Sequence, residues 1–354
     1  LHRPIHAFFV YDRGIPLWAG RITNWLFPRL GGIPVYRGKA DRQGLNSIRD
    51  HIVSGSFPLA IAPEGGTNGQ SERVGELEPG VVQLGFWAAE DLQKANRPEQ
   101  VLIVPIGIQY EYTGQSWARI DQLLLGIEQD CGISKPKPTP SDRYQRLYDL
   151  GTFLVQWVAA HYQKYYPQYA QSCDPHASLA EQLETVIETI LRTAEANFRI
   201  VGKGSYVDRC RRLEQAVWEQ VFRVEDWQKL TVLERCFGDQ LAREANNSLW
   251  HMRIAESILH ITGTYVQEHP SPSRFAEMLL LVWRAMSRVK LIPYGTTPYL
   301  GDRKLILSGG EPINISAHLS QYQTNRQTAK ATMAELTNQL RNSMQSLVIP
   351  SALT

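Results

Sequence analysis

The sequence lacks paired cysteines, an excess of either charge and any long apolar run, and each absence removes a class of protein. Its four cysteines, Cys131, Cys173, Cys210 and Cys236, stand tens of residues apart. Zinc and thiol-redox sites use tight pairs, so no metal site is expected and a reducing compartment is the default. Lys and Arg number 37 against 35 for Asp and Glu, a balance that suggests no nucleic-acid partner. No run approaches the roughly 18 apolar residues of a membrane-spanning helix, and no signal peptide is visible. Catalytic signatures are missing too. No glycine loop carries the Lys-Ser/Thr ending of a nucleotide P-loop or the dinucleotide-binding spacing. The nearest approach to a Gly-x-Ser-x-Gly elbow is "GQSWA", where Ala118 replaces the last glycine, which argues against a serine hydrolase.

What is present is a change of rhythm. The 354 residues suit one large domain or two. In the first part, strand-like and helix-like stretches alternate: "IHAFFVY" as strand, "IPLWAGRITNWLFPRL" as helix, "GGIPVYR" as strand, "DRQGLNSIRDHI" as helix, and "FPLAIAP" as a buried strand. "PGVVQLGFWAAEDLQ" then opens a helix with proline and glycine, and "QVLIVPIGIQY" reads as one strand. This alternation predicts an α/β layer. From about Ser141 long helices take over, one with a capping box formed by Ser178 and Glu181. The stripe of Tyr144, Tyr148, Trp157 and His161 reads as helical core. "RKLILSGGEPINI" restores the strand pattern, and an amphipathic helix closes the chain. The expected organisation is an α/β segment over 1–130, a helical insertion over 141–293 and a closing strand and helix over 303–354.

The stretch "APEGGT" ends a strand in a carboxylate and two glycines. A loop leaving a strand for a helix exposes backbone N–H groups, and glycines let that backbone approach an anion. The pattern also fits a tight turn whose Glu64 bonds local backbone. Arg37, just after its strand, reads alone as a solvated surface charge.

Taken together, the blocks "GGIPVYR", "APEGGT", "IVPIGI" and "GGEPINI" with "LTNQLRNSM" resemble the glycerophospholipid acyltransferase family, typified by 1-acyl-sn-glycerol-3-phosphate acyltransferases. The resemblance covers roughly Leu1 to Tyr112 and Arg303 to Leu347. It implies a mixed sheet flanked by helices, interrupted here by a large all-helical insertion. It also implies acyl transfer from an acyl thioester, acyl-CoA or acyl-carrier protein, to a hydroxyl of lysophosphatidic acid or a related glycerol phosphate. No cofactor is implied beyond that donor. Arg37 would bind the acceptor's phosphate, Glu64, Gly65, Gly66 and Thr67 would shape the acceptor pocket, and Pro105 would support the thioester site. Asn68 stands where the family commonly has a basic residue, and Arg73 is the candidate replacement.

The family's His-x4-Asp pair, in which the carboxylate orients a general-base imidazole, is absent from these residues. Two histidines have a carboxylate five positions on, His176 with Glu181 and His251 with Glu256, and both read as structural. The pair is therefore expected upstream of Leu1. A catalytically inert lipid-binding relative is the alternative reading. The expected setting is cytoplasmic and peripheral at the membrane, with Trp18, Trp25 and Phe27 interleaved with Arg21 and Arg29 as an interfacial helix. Glu64 itself, in a polar glycine-rich loop, is expected to be a solvated carboxylate.

Overall fold

The computed structural model describes residues 6–36, 41–113, 116–222, 227–292 and 296–353. The chain begins with β1 (Phe8–Asp12), α1 (Ile15–Ala19), α2 (Arg21–Arg29), β2 (Gly32–Val35), α3 (Arg42–Ser54), β3 (Leu59–Ala60), α4 (Gly80–Lys94), β4 (Leu102–Ile103) and β5 (Ile106–Tyr112). A helical series follows: α5 (Trp117–Asp130), α6 (Arg143–Tyr165), α7 (Leu179–Ala196), α8 (Tyr206–Val221), α9 (Val232–Ile258), α10 (Thr264–Glu268) and α11 (Pro272–Val289). The chain closes with β6 (Arg303–Gly309), β7 (Ile313–Asn314), α12 (Leu319–Tyr322) and α13 (Arg326–Ser346).

These elements fall into two compact units. One holds Leu1–Asn68, Glu72–Gln109 and Ile306–Ile349, the other Gly69–Ser71, Tyr110–Leu305 and Pro350–Thr354. The division thus lies at Tyr110 rather than near residue 130. Helix α5 belongs to the helical unit because Ile120, Leu124 and Ile127 are buried in its core.

In the first unit β2, β1 and β3 form a parallel sheet in that order, with Val10 opposite Ile33 and Phe8 opposite Leu59. β4 pairs antiparallel with β7, Ile103 facing Ile313, and β5 pairs with β6. The described strands therefore make three small sheets, not one mixed sheet. Proline is the cause at two places. Pro105 has no N–H to donate and separates β4 from β5, so "QVLIVPIGIQY" is two strands. Pro58 and Pro63 bracket β3, which is two residues long, with Leu59 half-buried and Ala60 exposed, instead of a buried strand. The single helix expected from Ile15 is likewise two, broken at Gly20, whose φ of 92° lies outside the helical region.

Helix α4 builds the unit's core. Its Val82, Phe86, Ala89 and Leu92 are buried with Ile313 and Ile315 beside β7 and with Leu336 and Leu340 of α13. Phe86 stacks on Tyr322, ring centroids 4.1 Å apart. Full burial of one such side chain is worth about 1.5–3 kcal/mol, so the end of the chain is a structural part of this unit. A smaller cluster of Ile33, Ile48 and Leu84 seats α3 and α4 on the parallel sheet. Phe27, expected at an interface, turns inward: its ring lies 4.9 Å from Tyr11 and 6.0 Å from Phe9.

The helical unit is held by amphipathic faces and buried ion pairs. The capping box of Ser178 and Glu181 opens α7, which buries Leu183, Val186, Ile187, Ile190, Leu191 and Ala194. Arg209 donates to Glu195 at 2.7 and 2.8 Å and also to Glu188, while Arg146 pairs with Glu128. Buried charges of this kind persist only when paired. Tyr144 and Tyr148 pack on this core, but Trp157 is 50% exposed and stacks on His161 instead. Among the described residues no helix is long and apolar enough to cross a membrane.

Candidate functional site

The strand order β2-β1-β3 places the first strand between its two parallel neighbours. From β1 the chain turns toward β2, and from β3, on the other side, it leaves for α4. In open parallel sheets, ligand sites lie outside the carboxyl ends of the strands. The residues that follow β1 and β3 there are Arg13 and the loop Ile61–Pro79.

That loop is tied across its own base. Gly65, at φ 63°, turns the chain back with its N–H on the Ala62 carbonyl at 3.3 Å, and the Glu78 N–H donates to the Pro63 carbonyl at 2.9 Å. Glu64 Oε2 accepts the Gly75 N–H at 2.7 Å and the Asn68 amide at 3.3 Å. Its carboxyl is half-buried. Burial raises the Glu64 pKa above the ordinary carboxylate value, against the lowering effects of the Gly75 N–H and the charge of Arg341. The expectation of a solvated carboxylate is therefore corrected: the loop folds around Glu64 instead of presenting it to water.

Asn68 now has a physical role. Its Nδ2 bridges Glu64 Oε2 and the Arg73 carbonyl at 2.7 Å, so a neutral amide braces the loop where a cation was expected. Helix α13 braces the far limb: Gln345 Oε1 accepts the Val74 N–H at 3.0 Å, and Arg341 Nε donates to the Gly75 carbonyl at 3.1 Å. Gly66 and Thr67 are exposed at the loop's crest. The Pro105 carbonyl accepts the Gly310 N–H at 2.8 Å, so Pro105 closes the turn between the two antiparallel pairs.

Arg37 lies outside the described residues. The positions on either side of that segment are joined, since Asp41 Oδ2 accepts the Tyr36 N–H at 2.9 Å and Asp41 Oδ1 caps α3 through the Gly44 N–H at 3.0 Å. Arg13 Nη2 stands 3.7 Å from Asp41 Oδ2, and its guanidinium lies 4.8 Å over the Tyr36 ring. Arg13, Tyr36 and Asp41 were not singled out from the sequence. Only Asp41, as an N-cap three residues before Gly44, leaves a local trace.

The two histidines with a carboxylate five positions on have other partners. Glu181 belongs to its capping box, Glu256 pairs with Arg253, and His251 Nδ1 meets the Tyr162 hydroxyl at 2.6 Å. Among the described residues no group of three His, Cys, Asp or Glu could hold a metal ion. The chain matches no protein-family model, no curated protein and no solved structure.

Proposed function

We propose that the first unit serves O-acyl transfer in phospholipid synthesis, from an acyl-CoA or acyl-carrier-protein thioester to a hydroxyl of lysophosphatidic acid or a related glycerol phosphate. The observation that carries the reading is the Pro63–Thr67 loop. It leaves a parallel strand at its carboxyl end and holds Glu64 half-buried, with Gly75 and Asn68 donating to one carboxylate oxygen. The order of the four sequence blocks that resemble the glycerophospholipid acyltransferases supports it further.

In this reading Arg37 neutralises the acceptor's phosphate through a bidentate contact, and Glu64 and the glycines behind it shape the pocket for the glycerol part. Arg73 and Thr67 lie on the same loop. The acceptor hydroxyl attacks the thioester carbonyl carbon, a C–O bond forms, the C–S bond breaks, and the hydroxyl proton passes through a general base to the departing thiolate, which leaves as the free thiol. Pro105 belongs to the donor side. The protein works peripherally at the cytoplasmic face of a membrane.

The absence of a His-x4-Asp pair from the 354 residues favours a second reading, a lipid-binding relative without chemistry. Two measurements separate them: equilibrium binding of lysophosphatidic acid, and transfer of labelled acyl groups by the natural polypeptide that carries these residues. Turnover supports the first reading, and binding without turnover the second. Arg37→Ala should weaken acceptor binding, or raise its KM, by about one to two orders of magnitude while leaving the thioester unaffected. Wild-type acceptor kinetics in that variant would return Arg37 to an ordinary surface charge.

A further inference from the structure

Between Asp12 and Asp41 the sequence has no acidic residue and five cations, Arg13, Arg21, Arg29, Arg37 and Lys39. The middle of that stretch is α2, a helix of nine residues. Its faces divide sharply. Phe27 turns inward onto Phe9 and Tyr11. Ile22, Trp25, Leu26 and Arg29 follow the i, i+3, i+4, i+7 spacing of the other face. On that face Ile22 is 76% exposed and Trp25 58% exposed. Leu30, just past the helix, is exposed as well.

An isoleucine and a tryptophan left this open on a nine-residue helix have no account in the unit's own core. Trp25 is also tied to charge. The Arg29 guanidinium lies 4.4 Å over its ring, and Arg29 Nη1 donates to the Trp25 carbonyl at 2.7 Å. A cation stacked on an exposed indole beside bare aliphatic surface matches the boundary of a bilayer, where indoles sit at headgroup level and arginines meet lipid phosphates.

We infer that the Ile22–Trp25–Arg29 face of α2 is a docking surface for anionic phospholipid membrane. The occupant is a lipid surface because the charge shown on this face is the Arg29 cation and the sequence has no acidic residue between Asp12 and Asp41, which complements a negative leaflet. The face also corrects the sequence pattern: Ile22 takes the place assigned to Phe27. The inference deepens the membrane part of the proposed function and does not depend on its chemistry.

The test is sedimentation of the 354-residue chain with phosphatidylcholine vesicles, with and without phosphatidylglycerol. Binding to the anionic vesicles is expected, falling as salt rises. Ile22→Ser with Trp25→Ser should weaken it by at least about tenfold, because the apolar contact is lost. Arg29→Gln should weaken it about fivefold, and Asn24→Asp, which adds a negative charge on an exposed position and removes nothing apolar, by a similar factor. Circular dichroism should show all four substitutions folded, as the positions are exposed. Unchanged pelleting by the double variant, or equal pelleting of the natural chain with neutral vesicles, would overturn the inference. Transfer to a water-soluble, short-chain lysophosphatidate by the natural polypeptide that carries these residues separates docking from chemistry. If transfer fails while vesicle binding follows the expected pattern, the docking face stands and the acyltransferase reading falls.

Discussion

A double-mutant cycle on Gly75 and Glu64 tests whether the loop is built around the carboxylate. A Cβ added at Gly75 would stand 2.7 Å from Glu64 Oε2, closer than real Cβ atoms come to anything. The obstacle is the same oxygen that accepts the Gly75 N–H, so Gly75→Ala must push the carboxylate off its donor. A hydrogen bond to a charged group contributes about 1.5–3 kcal/mol, and partial exposure of Glu64 places this one at the lower end. The backbone itself raises no objection, because Gly75 is not among the residues with positive φ. There an alanine stabilises by about 0.4–1 kcal/mol through the unfolded chain.

Gly75→Ala should therefore cost about 0.5–2 kcal/mol in the natural background. With Glu64→Ala already made, the nearest remaining contact is Asn68 Nδ2 at 3.8 Å, an ordinary distance. The same substitution should then stabilise by about 0.4–1 kcal/mol, giving a coupling of about 1.5 kcal/mol. Urea unfolding gives the energies, and hydrogen exchange over residues 72–78 gives the local reading. Equal costs in the two backgrounds, within about 0.5 kcal/mol, would mean that Glu64 does not organise the loop.

Asp41→Ala should destabilise the first unit by about 2 kcal/mol in urea, since it removes the α3 cap, the bond to the Tyr36 N–H and the partner of Arg13. Asp41→Asn, which can still cap, should recover about half of that. Arg209→Leu should cost the helical unit about 3–5 kcal/mol by stranding Glu195, while Glu188 keeps Arg192, and a second substitution, Glu195→Leu, should restore part of the loss. Burial, with the nearby His161, lowers the His251 pKa from 6.5 to about 4. Its contribution is therefore complete above the unfolded value of 6.5 and is lost as the pH falls through about 4, an acid loss near 3 kcal/mol that His251→Gln should flatten in pH-dependent melting curves.

Much of the fold was legible where a local rule decides it. Ser178 and Glu181 form their capping box, and the prolines and glycines that bound the first helices and strands lie at or near the element ends. The errors share a cause, which is that a local pattern does not show its partners. "QVLIVPIGIQY" is a single apolar run, yet its halves pair with different strands on either side of Pro105. Helix α5 reads equally well in either unit and is assigned only by the residues it packs on. In the candidate site, "PEGGT" was visible as a motif. Its supports were not, because Gly75 meets Glu64 only through the folding of the loop, and Arg341 and Gln345 reach that loop from the closing helix, far away in sequence. Phe27 and Ile22 are both apolar members of one helix, and only the packing tells which of them is spare.

The long excursion between β5 and β6 raises the question of how one unit survives interruption. Loop-closure entropy grows slowly, about 0.6 kcal/mol for each doubling of length, so a long insertion that folds on its own core adds little to the cost of bringing its ends together. What the interrupted unit needs is a means of fixing those ends. The strand pair β5-β6 does this, with the Gly310 N–H on the Pro105 carbonyl inside the first unit and the Thr113 N–H on the Asp302 carbonyl inside the second. From there the chain supplies Ile313, Ile315, Leu336 and Leu340 to the core around Phe86. The same helix that buries Leu336 and Leu340 carries Arg341 and Gln345 to the limb beside Glu64. Packing of the closing segment and support of the loop thus fall to the same helix, so a change that loosens Leu336 or Leu340 should also loosen the limb beside Glu64.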